Sequence, residues 1–149
     1  MNSLLPVLLL AVAPAGAEAD PLQTCAKTVG ATATADRLAA LPPPVRDELI
    51  RMIGAMGGAL ADSGTPLLET DAPTEAERHL AHERFEQAVL VRDTWFVQIK
   101  QSLFANVLTL GFARQSDGTF AFSPAIAFRG PACASIEAAL AGVMIARGF

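Results

Sequence analysis

The side chains best placed by type and spacing to do chemistry are Glu75, His79, His82 and Glu86. On a helix these four fall within a sector of roughly 60°, so their side chains converge on one face. Two histidines at i and i+3, flanked by carboxylates four residues outward, form a donor set suited to Zn²⁺ or another divalent ion. His79 and His82 are also the only two histidines in the chain. One reading is therefore a metal-binding protein, or a metal-dependent hydrolase, with zinc held on this stripe. The plainer reading is a solvated helix face, because the stripe lies opposite an apolar one formed by Ala81, Phe85 and Ala88. The segment His79-Leu80-Ala81-His82-Glu83 also departs from the zinc-protease patterns in the placement of its glutamate.

Little else in the chain resembles catalytic machinery. It contains no G-x-S-x-G, no Walker loop and no G-x-G-x-x-G; Gly54, Gly57 and Gly58 lie within a helical pattern rather than after a strand. Ser63 reads as a turn serine, and Glu69 and Asp93 as loop or cap carboxylates that border an aromatic segment. With no tyrosine and two histidines on one stripe, general acid–base chemistry would fall to carboxylates. The expectation is a protein without catalytic residues and without a cofactor, zinc being the alternative.

Met1–Ala17 reads as a cleaved export signal. It has no charged side chain, an apolar run from Leu4 to Val12, prolines at Pro6 and Pro14, and an A-x-A end at Ala15-Gly16-Ala17. The run is shorter than the roughly 20 apolar residues a membrane span needs. Residues 18–149 then form one exported domain, periplasmic or secreted, with no membrane span after cleavage. In an oxidising compartment Cys25 and Cys133 are expected to form a disulfide; neither belongs to a C-x-x-C or has a basic or histidine neighbour that would activate a thiol. The net charge is −4 and the basic residues are scattered singly, which argues against nucleic acid and against an anionic membrane surface as partners.

The elements that would position these residues follow from periodicity. Thr34-Ala35-Asp36 can cap a short helix through Ala40. Val45, Leu49, Met52, Ile53, Met56 and Leu60 repeat at helical spacing, predicting an amphipathic helix over Pro44–Ala61. A second helix is predicted from Asp71 or Thr74 to about Leu90, with Thr74 and Glu77 at capping-box spacing. From Thr94 the period becomes two. Strands are predicted over Trp95–Lys100, Val107–Arg114 and Thr119–Arg129, the last two joined by a hairpin turn at Asp117-Gly118. Phe120, Phe122, Ile126 and Phe128 are placed on one bulky face, and Pro124 marks an edge or a break. Ser135 opens a closing helix. The predicted fold is α+β: two N-terminal helices, a three-stranded antiparallel meander and a C-terminal helix packed on one sheet face.

The second face of that meander is small rather than charged. It carries Thr109, Gly111 and Ala113 on one strand and Thr119, Ala121, Ser123, Ala125 and Ala127 on the next. Such a face is either covered by the amino-terminal segment or serves as a docking surface for another exported protein or a second copy of the chain. Trp95 is a candidate for the wall of an apolar pocket between helix and sheet. The ligand or partner surface is accordingly expected at Trp95, Thr109, Gly111, Thr119, Ala121 and Ser123. The functional expectation is a small exported, non-enzymatic domain that binds a partner protein or a small apolar ligand.

Overall fold

The computed structural model describes residues 21–102, 106–129 and 132–142. The expected leader, residues 1–17, lies outside them. In chain order the elements are helix α1 (Pro21–Thr28), strand β1 (Ala31–Ala35), a 3₁₀ turn (Leu38–Ala40), helix α2 (Pro43–Ala55), strands β2 (Leu60–Ala61), β3 (Glu83–Val91), β4 (Thr94–Gln101), β5 (Asn106–Arg114) and β6 (Phe120–Arg129), and helix α3 (Ala132–Leu140). The strands form one six-stranded sheet in the order β1-β3-β4-β5-β6. Two short strands share the outer edge of β3: β1 runs antiparallel along Ala88–Val91, and β2 pairs in parallel with Glu83 and Arg84.

This corrects the predicted architecture of a three-stranded meander behind two N-terminal helices. The helix expected over Thr74–Leu90 is replaced by one turn and a strand. One half of its capping box forms: the Glu77 carboxylate accepts from the Thr74 N–H at 2.9 Å and from the Thr74 hydroxyl at 2.7 Å, while the Glu77 N–H donates to the Thr74 carbonyl at 3.0 Å. The helix does not propagate beyond that turn, and from Glu83 the chain joins the sheet. The helical spacing of Phe85 and Ala88 has an identifiable cause. A bulge at Glu86, between the pairs Phe85↔Ile99 and Gln87↔Gln98, inserts one residue into β3. Residues three apart then fall on one face of a strand, as they would on a helix. The segment Thr34–Ala40, also expected as helix, is instead the end of β1 followed by the 3₁₀ turn.

Helix α2 starts at Pro43, where a missing amide donor costs nothing, and ends at Ala55, earlier than the expected Ala61. Gly57, at φ +80°, donates to the Gly54 carbonyl at 3.0 Å, and the Gly58 N–H donates to the Ile53 carbonyl at 3.1 Å. These two bonds form a Schellman ending, which satisfies the last carbonyls of the helix and turns the chain away.

The sheet is covered on both faces, not one. On one face Val45, Leu49 and Ile53 of α2 share a core with Phe85, Trp95, Val97, Ile99, Leu110 and Phe112. On the opposite face α1 and α3 cover Val89, Val91 and Phe96, with Cys25, Ala26 and Ile136 buried between them. Cys25 and Cys133 form a disulfide between α1 and α3, closing a sequence separation of 108. In the chain-entropy model a loop near that length stabilises the fold by about 4.7 kcal/mol.

Strand β6 changes faces midway. Gly111 pairs with Ser123, but Leu110 pairs with Ala127, so Pro124, Ala125 and Ile126 form a bulge with no partner on β5. An odd insertion inverts the alternation. Phe120 and Phe122 therefore join the α2 side, whereas Ile126 joins the α1/α3 side and Ala127 the α2 side. The expected single bulky stripe through Phe120, Phe122 and Ile126 is thus split between two cores. Among the described residues, no helix is long and apolar enough to cross a membrane.

Candidate functional site

The four residues of the expected metal stripe are not brought together. Glu75 and His79 sit in the exposed turn before β3, while Glu86 is the bulge residue within it. Glu75 is ion-paired with Arg78 at 3.1 Å and Glu86 with Arg84 at 2.7 Å. His82 lies opposite Ser102 at the end of the β3–β4 ladder, with its Nδ1 3.3 Å from the Ser102 Oγ. Among the described residues, no group of three or more His, Cys, Asp or Glu side chains is arranged to hold a metal ion.

The expected ligand surface is also dispersed. Trp95 is 5% exposed and belongs to the α2-side core. Thr109 is fully buried, and Gly111 is buried beneath Ile126. Ala121 and Ser123 are half-buried. Thr119 stands in the β5–β6 turn, where its N–H and hydroxyl both donate to Asp117. Glu69, Asp93 and Ser63 have structural duties. Glu69 pairs with Lys100 at 3.4 Å and Asp93 with Arg114 at 3.3 Å, and the Ser63 hydroxyl donates to the Asp36 carbonyl.

A concave feature lies elsewhere among the described residues. A cleft of about 400 Å³ opens between α1 and the β1/β3 edge of the sheet. Its walls are Ala26 and Lys27 from the last turns of α1, Ala31, Thr34 and Ala35 from β1, and Asp36 just beyond it; Gln87, Ala88 and Val89 of β3 complete it. The local sequence explains the shape. The Val29 N–H closes the last turn of α1 onto the Cys25 carbonyl at 2.9 Å, and Gly30, at φ +71°, reverses the chain into β1. The alternating Ala-Thr-Ala-Thr-Ala of β1 places no bulky side chain in the space below the helix. The disulfide then holds α1 to α3, so the helical wall is fixed by a covalent bond.

The cleft carries both signs of charge. Lys27 and Asp36 are exposed, and neither belongs to an ion pair among the described residues. Beside them runs a polar row across the sheet interior. The Gln87 amide Nε2 donates to the Gln98 Oε1 at 3.2 Å, and Thr109 follows Gln98 in register on β5. Gln98 and Thr109 are the buried polar residues of the described sheet. Thr109 is 0% exposed, and its hydroxyl has no hydrogen-bond partner among the described residues.

Sequence reasoning missed Lys27, Thr34, Asp36 and Gln87. The period-two run Ala31–Ala35 was the available signal for β1, and two glutamines inside otherwise apolar strands were the signal for the polar row. Comparison with known protein families, curated proteins and solved structures finds no match to this chain.

Proposed function

We propose that the protein is a small exported, non-enzymatic domain that binds a small ligand in the cleft between α1, β1 and β3. The cleft itself carries the proposal: a space of about 400 Å³, within the size range of small-molecule sites, with a floor of small side chains and a few polar groups at its margins. Export is supported by the apolar run Leu4–Val12 with its A-x-A end and by the disulfide, a bond that persists in oxidising compartments. A non-enzymatic role is supported by the placement of the described carboxylates and histidines: Asp36 lies at the cleft, and Glu75, His79, His82 and Glu86 are spread over a turn, a ladder end and ion pairs.

The test is a fragment screen followed by amide chemical shifts of the purified protein. Binding that perturbs the amides of Ala31, Thr34, Ala35, Ala88 and Val89, and leaves those of α2 unmoved, supports the proposal. Perturbations confined to other surfaces, or none with any fragment, overturn it. Intact mass of the exported product reports separately on cleavage after Ala17.

A further inference from the structure

The open end of the β3–β4 ladder sets two buried acceptors side by side. Glu83 and Gln101 are register partners, and Phe85 and Ile99, two residues further along, belong to the α2-side core. No bulge intervenes, so the strand period puts Glu83 and Gln101 on that same face, as cross-strand neighbours with Cβ atoms roughly 5 Å apart. The Glu83 Oε2 and the Gln101 Oε1 are both buried, and neither has a hydrogen-bond partner among the described residues. Gly58, just past the end of α2, leaves the space for the carboxyl: a Cβ there would lie 2.8 Å from the Glu83 Oε2 and 3.1 Å from the Ile53 Cγ2. The charged groups around this point are engaged elsewhere. Arg84 and Lys100 alternate with the pair onto the other face and bind Glu86 and Glu69. Arg46 and Arg51 of α2 bind Asp47 and Glu48, and Asp62, beyond β2, accepts from the Leu38 and Ser63 N–H groups. Burial raises the Glu83 carboxyl above its ordinary range, opposed by the charge of His82.

Two buried acceptors on neighbouring strands lack a donor, and a neutral carboxyl carries one in its own O–H. We propose that Glu83 and Gln101 form a proton-operated latch: the neutral carboxyl donates to the Gln101 Oε1 and holds residues 58–61 on the sheet, and its ionisation frees them. An ionised carboxylate beside the Gln101 Oε1 would leave two acceptors facing each other away from water, so it turns outward past Gly58. The segment that gives way is β2, which is two residues long and pairs with β3 alone among the described strands, at Glu83 and Arg84. The latch lies on the α2 side of the sheet, so it stands or falls independently of what the cleft binds.

The experiment titrates the protein from about pH 3 to about pH 8 and follows the Glu83 Cδ by carbon NMR, with hydrogen exchange of the Leu60 and Ala61 amides measured in parallel. The carboxyl is expected to titrate above the ordinary value of about 4.3. After correction for the intrinsic base-catalysed rate, opening of β2 should be constant below that value. It should then rise roughly tenfold per pH unit up to the higher closed-state value, as one proton is released on opening, and level off above it. The amides of Ile99 and Leu110, deep in the sheet, should not follow this profile. Glu83→Gln keeps a donor for the Gln101 Oε1 and cannot ionise, so its β2 opening should be flat with pH and as slow as that of the parent in acid. A Glu83 carboxyl that titrates at or below about 4.3 overturns the latch and means that the Gln101 amide nitrogen is turned toward a carboxylate. A raised value with pH-independent opening of β2 also overturns it, as does a pH profile that persists in Glu83→Gln.

Discussion

Gly111 of β5 and Ile126 of the β6 bulge occupy one space. A Cβ on Gly111 would lie 2.5 Å from both the Cβ and the Cγ2 of Ile126. Those atoms sit at the root of a branched side chain and cannot swing aside. Gly111 faces Phe96 across the ladder, so the missing side chain is what lets Ile126 enter the core beneath α1 and α3. Gly111→Ala should therefore destabilise the fold by about 1–3 kcal/mol, the range for overpacking. Urea unfolding of Gly111→Ala, Ile126→Ala and the double variant checks it, the double being less destabilised than the two singles predict. Additive losses would show that the two residues do not compete for the space.

The disulfide contributes a large share of the stability. Replacing both Cys25 and Cys133 by alanine should cost about 4–5 kcal/mol on the chain-entropy account. The loss should be accompanied by faster hydrogen exchange in α1 than in β4, because α1 is held to the rest of the fold through this bond and a small apolar patch. Unchanged exchange in α1 after removal of the bond would refute its role as the anchor of the cleft wall.

Thr109 offers a stabilising substitution. Its hydroxyl is buried without a hydrogen-bond partner among the described residues, which costs free energy that valine would not incur at nearly the same shape. Thr109→Val should raise stability by about 1 kcal/mol in urea unfolding. A loss of stability would mean that the hydroxyl is engaged in solution.

Glu83 should make stability depend on pH. Burial raises its carboxyl above the ordinary range, opposed by the charge of neighbouring His82. Its Oε2 is buried without a partner among the described residues, at a point 2.8 Å from where a Gly58 Cβ would lie. Gln101, its register partner on β4, likewise buries an unpartnered Oε1. A raised folded-state value means the folded protein holds this proton more tightly than the unfolded chain. The benefit is present in full below the unfolded value of about 4.3 and is lost as pH rises through the higher folded value. Glu83→Gln should flatten stability across that window and raise the thermal midpoint at neutral pH. A variant with the same pH profile as the parent would remove Glu83 as the source.

A chelator should have no effect on stability. Glu75, His82 and Glu86 already engage Arg78, Ser102 and Arg84, and His79 is in an exposed turn. The thermal midpoint is expected to be unchanged by dialysis against EDTA. A lower midpoint, restored by zinc, would return the histidines to consideration.

Local pattern alone determined several parts of this protein. The alternation from Trp95 to Lys100 and from Val107 to Arg114 marks β4 and β5, because a strand with one apolar face must repeat every second residue. The stripe Val45, Leu49 and Ile53 marks α2, and the even number of cysteines, Cys25 and Cys133, marks the disulfide. Only the tertiary structure decided the rest. Whether Glu83–Val91 is helix or strand depends on pairing with β4, since the Glu86 bulge gives it a helix-like spacing that only the partner strand exposes. Which core receives Ile126 depends on the three-residue bulge after Ser123, whose parity is set by β5. The cleft was equally hidden: Lys27, Asp36 and Gln87 line one space only because β1 pairs with β3, a contact between segments far apart in sequence that no local periodicity encodes.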